Sequence, residues 1–345
     1  MQHPLAVAIV SLAAAALATA AGAAPSYSVT GHIKADDGGW DYASFEPAHG
    51  RVFVSRSAGA VTVVDVGAKT ASTLTIPGSG RMHESLPLNR GALLLVTDGT
   101  ANVAHLIDPV SGASVADVPT GTKPDAAVFD PASGLALVMN GKSGDVTFID
   151  PVAHAAVATV AVGGALEFAA VDGAGKAFIN IEDQNQIGVI DTKARTLVGH
   201  YALAGCDSPS GLAYAPIGTT RGAGVLIAAC ANKVAKVVRA ADGHDVATLA
   251  IGAGPDAVIY DAARKLAFIP CGRDGVLEVI AAADAEHIAI VQIVTTQVGA
   301  RTGAVDPATG ALYLPTAQFP PPAPGGGRPT PLPGTFEILV VTPGG

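Results

Sequence analysis

The sequence predicts an all-β chain closed into a seven-bladed β-propeller with four-stranded antiparallel blades, and three observations predict it. A turn glycine recurs at Gly50, Gly91, Gly134, Gly175, Gly224 and Gly310, with Lys265 at the same place in a seventh copy. The period is near 42 residues, with steps from 41 to 49, the length of one propeller blade. Within each period lie short Val, Ile and Leu runs separated by Gly, Pro, Asp and Asn, the punctuation of tight turns between strands. Finally, each end of the chain carries part of a blade, so that the two ends together complete a ring.

In chain order, a polar start from Met1 to His3 leads into an apolar run from Leu5 to Ala21, and Ala21-Gly22-Ala23 offers the small residues a signal peptidase reads. Residues 1–23 are thus expected to be a cleaved signal peptide, with a mature chain starting at Ala24 and residing in the periplasm or outside the cell. The run falls short of the ~20 apolar residues that span a bilayer, and no later segment qualifies, so no anchor is expected after cleavage. The strand-like segment Tyr27 to Ile33 has no first strand ahead of it and is expected to pair beside Phe336 to Val341, closing the circle and hiding two sheet edges.

The third copy is the clearest. From Gly121 it gives four segments, Ala126 to Phe129, Leu135 to Met139, Val146 to Ile149 and Ala156 to Val162, alternating as half-buried strands do. An aliphatic residue followed by Asp closes the third strand at Val64-Asp65, Ile107-Asp108, Ile149-Asp150 and Ile190-Asp191. The last copy is interrupted from Phe319 to Gly334 by FPPPAPGGGRPTPLPG, too rich in Pro and Gly for regular structure and expected to loop out over the channel mouth.

These features resemble the YVTN β-propeller repeat family, and more narrowly YncE-like exported propellers. The match is closest in the third copy, through Gly121 to Pro124, the Asp130 to Gly134 turn, Leu137-Val138-Met139-Asn140 and Val146 to Asp150. The literal tetrapeptide is absent; Phe53-Val54-Ser55-Arg56 and Leu95-Val96-Thr97-Asp98 stand in its place. The resemblance implies an architecture and an exported compartment rather than a reaction.

In such a ring the first strand of each blade lines the channel. Aligning the copies on that strand brings together Asp41, Glu84, Asp125, Glu167, Ser210, Asp256 and Arg301. With 29 acids in 345 residues, fewer than one acid would fall there by chance, yet five of the seven are acids. Two causes fit. Converging carboxylates form a hard-oxygen site for Ca²⁺ or Mg²⁺, drawn from Glu84, Asp125, Glu167 and Asp256, or a receptor for a cationic ligand. Alternatively, each acid accepts backbone N–H bonds at the start of its strand. Trp40, His83, Asp207 and the residues after the second strands (Arg56, Asp98, Asn140, Cys230, Cys271, Thr316) are expected to rim the same face.

Cys206 and Cys230 fall before the first and after the second strand of one copy, so they share a face and are the pair expected to bridge, leaving Cys271 free. The nine histidines are scattered and have no metal-ligand spacing, and no phosphate loop, dinucleotide fingerprint, nucleophile elbow or haem attachment motif occurs. A net charge of −9 with 14% charged residues excludes a duplex nucleic-acid partner. The expectation is a monomeric, non-catalytic binding module for a small ligand, a cation or an envelope protein. The alternative is a metal-dependent, lactonase-like hydrolase at the acidic mouth, with Asn140 helping to hold the ion. A redox accessory role is a third, less economical reading.

Overall fold

The computed structural model describes residues 26–321 and 330–344. They form seven four-stranded antiparallel sheets arranged as a propeller. Six blades follow one another along the chain, and the seventh has the spatial order Tyr27–Lys34, Glu337–Pro343, Leu312–Thr316, Ala304–Val305. Its outer strand comes from the N-terminal side, in register from Tyr27 opposite Pro343 to Lys34 opposite Glu337. The segment expected as the signal peptide lies outside the described residues, among which no helix is long and apolar enough to cross a membrane.

Strand burial follows the position in the blade. Second strands such as Leu135–Asn140 and Leu266–Cys271 are buried at every residue, because neighbouring blades cover both of their faces. This is why they read as continuous apolar runs rather than alternating ones. Outer strands such as Ala155–Ala161 and Thr196–Ala202 are mostly exposed, and hence carry Thr, His and Ala. Phe53, Phe148, Phe178, Phe268 and Phe336 are fully buried between blades, each stabilising the packing by about 1.5–3 kcal/mol.

The repeated acids also have a mechanical cause. Asp65, Asp108, Asp150 and Asp191 each accept an N–H from the turn after the third strand: Asp150 takes those of Val152 (2.8 Å) and Ala153 (3.0 Å), and Asp191 those of Lys193 (3.0 Å) and Ala194 (2.8 Å). Such bonds hold Asp108 and Asp150 below the usual carboxylate range. The turn glycines need their left-handed backbone (Gly134, φ 75), and Lys265 adopts the same region at φ 54. Gly224 is an exception: it lies in the strand Gly224–Cys230, opposite Pro216, because this blade's first hairpin is longer and turns earlier.

A disulfide joins Cys206 to Cys230, with Cα atoms 5.4 Å apart, while Cys271 is free and buried. Burial and the nearby Glu278 push the Cys271 thiol up to about 12, which keeps it unreactive. The bridge closes a 24-residue separation, for which the loop-entropy relation gives roughly 3 kcal/mol. Replacing Cys206 and Cys230 together by Ser is therefore expected to cost about 3 kcal/mol in urea unfolding; an unchanged midpoint would refute this.

The Pro/Gly-rich insertion leaves the second strand of the seventh blade and returns to the third. Its base is fastened by Leu332 N–H to the Gln318 carbonyl (2.8 Å) and by Asp37, which accepts the N–H groups of Gly334 and Phe336. Residues 322–329, on which the expectation of a loop over the mouth chiefly rests, lie outside the described residues.

Candidate functional site

The inner strands carry a repeated irregularity. After the pair Trp40 and Arg56, the next is Ala43 with Val54, so Asp41 and Tyr42 oppose the single residue Ser55. The same bulge follows Met82, Pro124, Leu166 and Pro209. A bulge bends the strand and re-aims its side chains; here it turns residues of each inner strand toward the axis.

This register corrects the ring. The first residue of the bulge is Asp41, His83, Asp125, Glu167 and Ser210 in the first five blades. The bridge of Pro255 to Cys271 puts Asp256 in the same place, and the pairing of Ala304 with Tyr313 puts Arg301 there in the seventh blade. His83, not Glu84, is thus the second blade's member. Glu84 belongs one layer deeper, with Tyr42 and Phe168. The two hairpins pair with the same count, Trp40 with Arg56 and Glu46 with Arg51 in the first blade and Met82 with Asp98 and Leu88 with Leu93 in the second, so His83 matches Asp41 and Glu84 matches Tyr42.

At the mouth, charges of opposite sign form a chain. Arg301 Nε donates to Asp256 (2.7 Å), and its Nη2 lies 3.5 Å from Asp41 while donating to the Trp40 carbonyl (2.8 Å). His83 Nδ1 stands 2.8 Å from Asp41 and 3.3 Å from Asp125, whose other oxygen takes Lys123 Nζ at 3.0 Å. Asp41, His83, Glu84 and Asp125 are buried, whereas Glu167, Ser210, Asp256 and Arg301 are half-buried, so the open side of the mouth lies toward the fourth to seventh blades. Neighbouring blades are also stitched here: Thr97 Oγ1 donates to the Asp125 carbonyl (2.6 Å), Thr302 Oγ1 to that of Asp41 (2.7 Å), and Ser210 Oγ to that of Pro255 (3.2 Å).

Below this layer the channel is plugged. Tyr42, from the first blade, crosses the axis to the fourth, where its hydroxyl donates to Glu167 (3.3 Å) and its ring packs 5.0 Å from Phe168. Burial raises the Tyr42 hydroxyl well above its ordinary range, with Glu167 adding to the effect. Burial likewise pushes Glu84 up to about 8, helped by Asp41 and Asp125 against the N–H of Ser85. Glu167 rises to about 9 through burial and the fields of Asp125, Glu182 and Asp256. Asp256 is raised by burial despite Arg301. The pairing carboxylates overcome the burial of Arg301 and Lys123 and keep both charged.

Glutamic acids protonated in the fold but ionised in the unfolded chain make stability fall as pH rises. The contribution is complete below the unfolded value near 4.3 and is lost as pH climbs toward the folded values of about 8 and about 9. Glu167→Gln keeps the shape without the charge. Its melting midpoint is expected to lie above that of the wild type at pH 9 and to converge with it at pH 4, measured by scanning calorimetry; parallel pH profiles would contradict the protonated assignment.

Several rim residues stand elsewhere than the sequence placed them. Asn140 is fully buried and gives its amide to Asp145 (2.6 Å) and Thr147 (2.9 Å), away from the axis. Arg56 and Asp98 turn the same way, toward Thr62 (2.7 Å) and His105 (3.5 Å) on their third strands. Side chains at the end of the second strand point between blades, which removes Asn140 from any mouth site. Trp40 is 5% exposed, packed on Phe336 (5.2 Å) and Phe319 (6.1 Å) with Arg301 against its ring, so it is a packing residue. The expected set Glu84, Asp125, Glu167 and Asp256 is not gathered into one cage. Among the described residues, the trio whose ligand atoms lie within 4.8 Å of one another is Asp41, His83 and Asp125.

No protein-family profile and no curated protein matches this chain. Among solved structures it is similar to a chain of Kuenenia stuttgartiensis hydrazine synthase, at 14% identity and TM-score 0.70 over 82% of this chain and 94% of that one. It is also similar to a chain of the mitotic checkpoint complex, at 13% identity and TM-score 0.69 over 99% and 98% of the two. Likeness at such identity speaks for architecture alone: the chain is a seven-bladed β-propeller, a fold that commonly serves as a binding or interaction module.

Proposed function

We propose that this protein is an exported, YncE-like β-propeller acting as a non-catalytic binding module, and that its ligand is a small cation or cationic group received at the channel mouth. One observation carries the reading. Five carboxyl groups (Asp41, Glu84, Asp125, Glu167 and Asp256) gather around two permanent cations, Arg301 and Lys123, and the imidazole of His83. Two of the five, Glu84 and Glu167, are held as neutral acids at pH 7 by burial and their acidic neighbours. An arriving cation takes the place of those protons, so the mouth has spare negative charge that appears only when a ligand pays for it.

The test is thermal unfolding of the mature chain with Ca²⁺, Mg²⁺, Mn²⁺, Zn²⁺ and the diamine putrescine, each with Asp256→Asn and Glu167→Gln alongside. A ligand at a hundred times its Kd adds about 2.7 kcal/mol by mass action. A midpoint raised by at least one cation and blunted in the variants supports the proposal, and no response to any of them removes it. N-terminal sequencing of protein recovered from the envelope or medium checks export: Ala24 at the N-terminus is expected, and a chain retained in the cytosol with Met1 intact is the contrary result.

A further inference from the structure

We infer that Asp41, His83 and Asp125 form a binding site for one first-row divalent transition metal ion. This inference rests on the cation reading of the mouth and narrows it to an ion and a place. The three side chains come from the bulge positions of three consecutive inner strands. Their donor atoms converge: His83 Nδ1 lies 2.8 Å from Asp41 Oδ2 and 3.3 Å from Asp125 Oδ1. Donors bound at 2.0–2.2 Å around a tetrahedral ion sit about 3.4 Å from one another, so adjustments of a few tenths of an ångström admit a metal where a proton now bridges. The ring then carries its proton on Nε2, because Nδ1 must offer its lone pair.

The surroundings of the trio point the same way. Asp41, His83 and Asp125 are 8%, 3% and 4% exposed, so an ion held among them is shielded from bulk water. In addition, the outer oxygens of Asp41 and Asp125 face Arg301 (3.5 Å) and Lys123 (3.0 Å), which fix the carboxylates from outside the cage. An imidazole nitrogen among carboxylates selects Zn²⁺, Co²⁺, Fe²⁺ or Mn²⁺ over Ca²⁺ and Mg²⁺, whose preference is for oxygen alone.

The untagged mature protein, stripped with a chelator, is titrated with Co²⁺ and Zn²⁺ while visible absorption and the thermal midpoint are followed. The expected result is one Co²⁺ per chain with saturating ligand-field bands, displaced by Zn²⁺. His83→Gln should weaken Co²⁺ binding by more than about 100-fold, beyond the effect of losing a merely supporting residue. His244→Gln, at an exposed histidine away from the mouth, should bind as the wild type does. If His83→Gln does not fold, proton NMR of the wild-type Co²⁺ complex replaces it, where a hyperfine-shifted imidazole N–H is expected and its absence overturns the assignment. Stabilisation by Ca²⁺, Mg²⁺ or putrescine without any by Co²⁺, Zn²⁺ or Mn²⁺ overturns the metal site and leaves the cation reading standing. Co²⁺ binding indifferent to His83→Gln also overturns it, and no response to any cation removes both.

Discussion

Removing the first strand, Tyr27–Lys34, is expected to abolish cooperative folding, the largest effect of any short deletion in this protein. The strand supplies the whole outer edge of the seventh blade. Tyr27 is 2% exposed, edge-on to Phe268 at 4.9 Å, and Ile33 is 4% exposed. The backbone of Tyr27 is clasped by the side chain of Gln292 in the sixth blade, which accepts its N–H (2.7 Å) and donates to its carbonyl (2.8 Å). Two buried side chains at about 2–3 kcal/mol each, added to the lost ladder, rival the 5–15 kcal/mol that holds a typical protein folded. The exposed edge of Glu337–Pro343 would then recruit other chains. Size-exclusion chromatography and near-ultraviolet circular dichroism should show oligomers without fixed tertiary structure, partly rescued by a synthetic peptide of the missing strand. A monodisperse variant with the wild-type midpoint would mean that the other six blades carry the fold alone.

The second large effect is expected at Tyr42. Its ring fills the channel and its hydroxyl meets Glu167 from across the ring of blades. Truncation of a buried aromatic side chain costs about 3–5 kcal/mol, through lost burial and the cavity left behind. Tyr42→Ala is expected to fall in that range in urea unfolding at an unchanged m-value. Tyr42→Phe keeps the plug and loses one hydrogen bond, a change of about 1 kcal/mol. A loss below 1 kcal/mol for the alanine variant would show that the channel tolerates being open, and that Tyr42 is not a keystone between opposite blades.

The fold was legible because its cause is local. Most hairpins announce themselves through an acid that caps a turn and a residue that accepts a left-handed backbone, as at Asp130 and Gly134. Lys265 could be placed for the same reason, since the repeat requires the conformation whatever residue fills it. Gly224 departs from the repeat because the longer hairpin before it moves the turn upstream. The site was legible only in outline. That acids gather at the mouth followed from their spacing, but the bulge decides which of His83 and Glu84 joins the ring, and a bulge leaves no composition signal. No local pattern marks Tyr42, because its partner lies 125 residues away in sequence. Asn140 shared the mouth's sequence position yet not its direction, because Thr147 and Asp145 hold it between blades.

The closure of the seventh blade also sets an order of events. Six blades pair residues that are neighbours in the chain, whereas Thr30 must find Thr342 across a separation of 312 residues. The strand made first by the ribosome therefore waits, unpaired, for the strand made last, and long-range pairing of this kind is the slow step of assembly. During that wait the chain is a string of nascent blades with an open seam, a form still threadable and open to chaperone capture. Joining Gly344 to Ser26, whose backbones already touch, and opening the chain instead between two blades would make every pairing local; such a permuted chain should fold faster than the natural one while ending in the same ring.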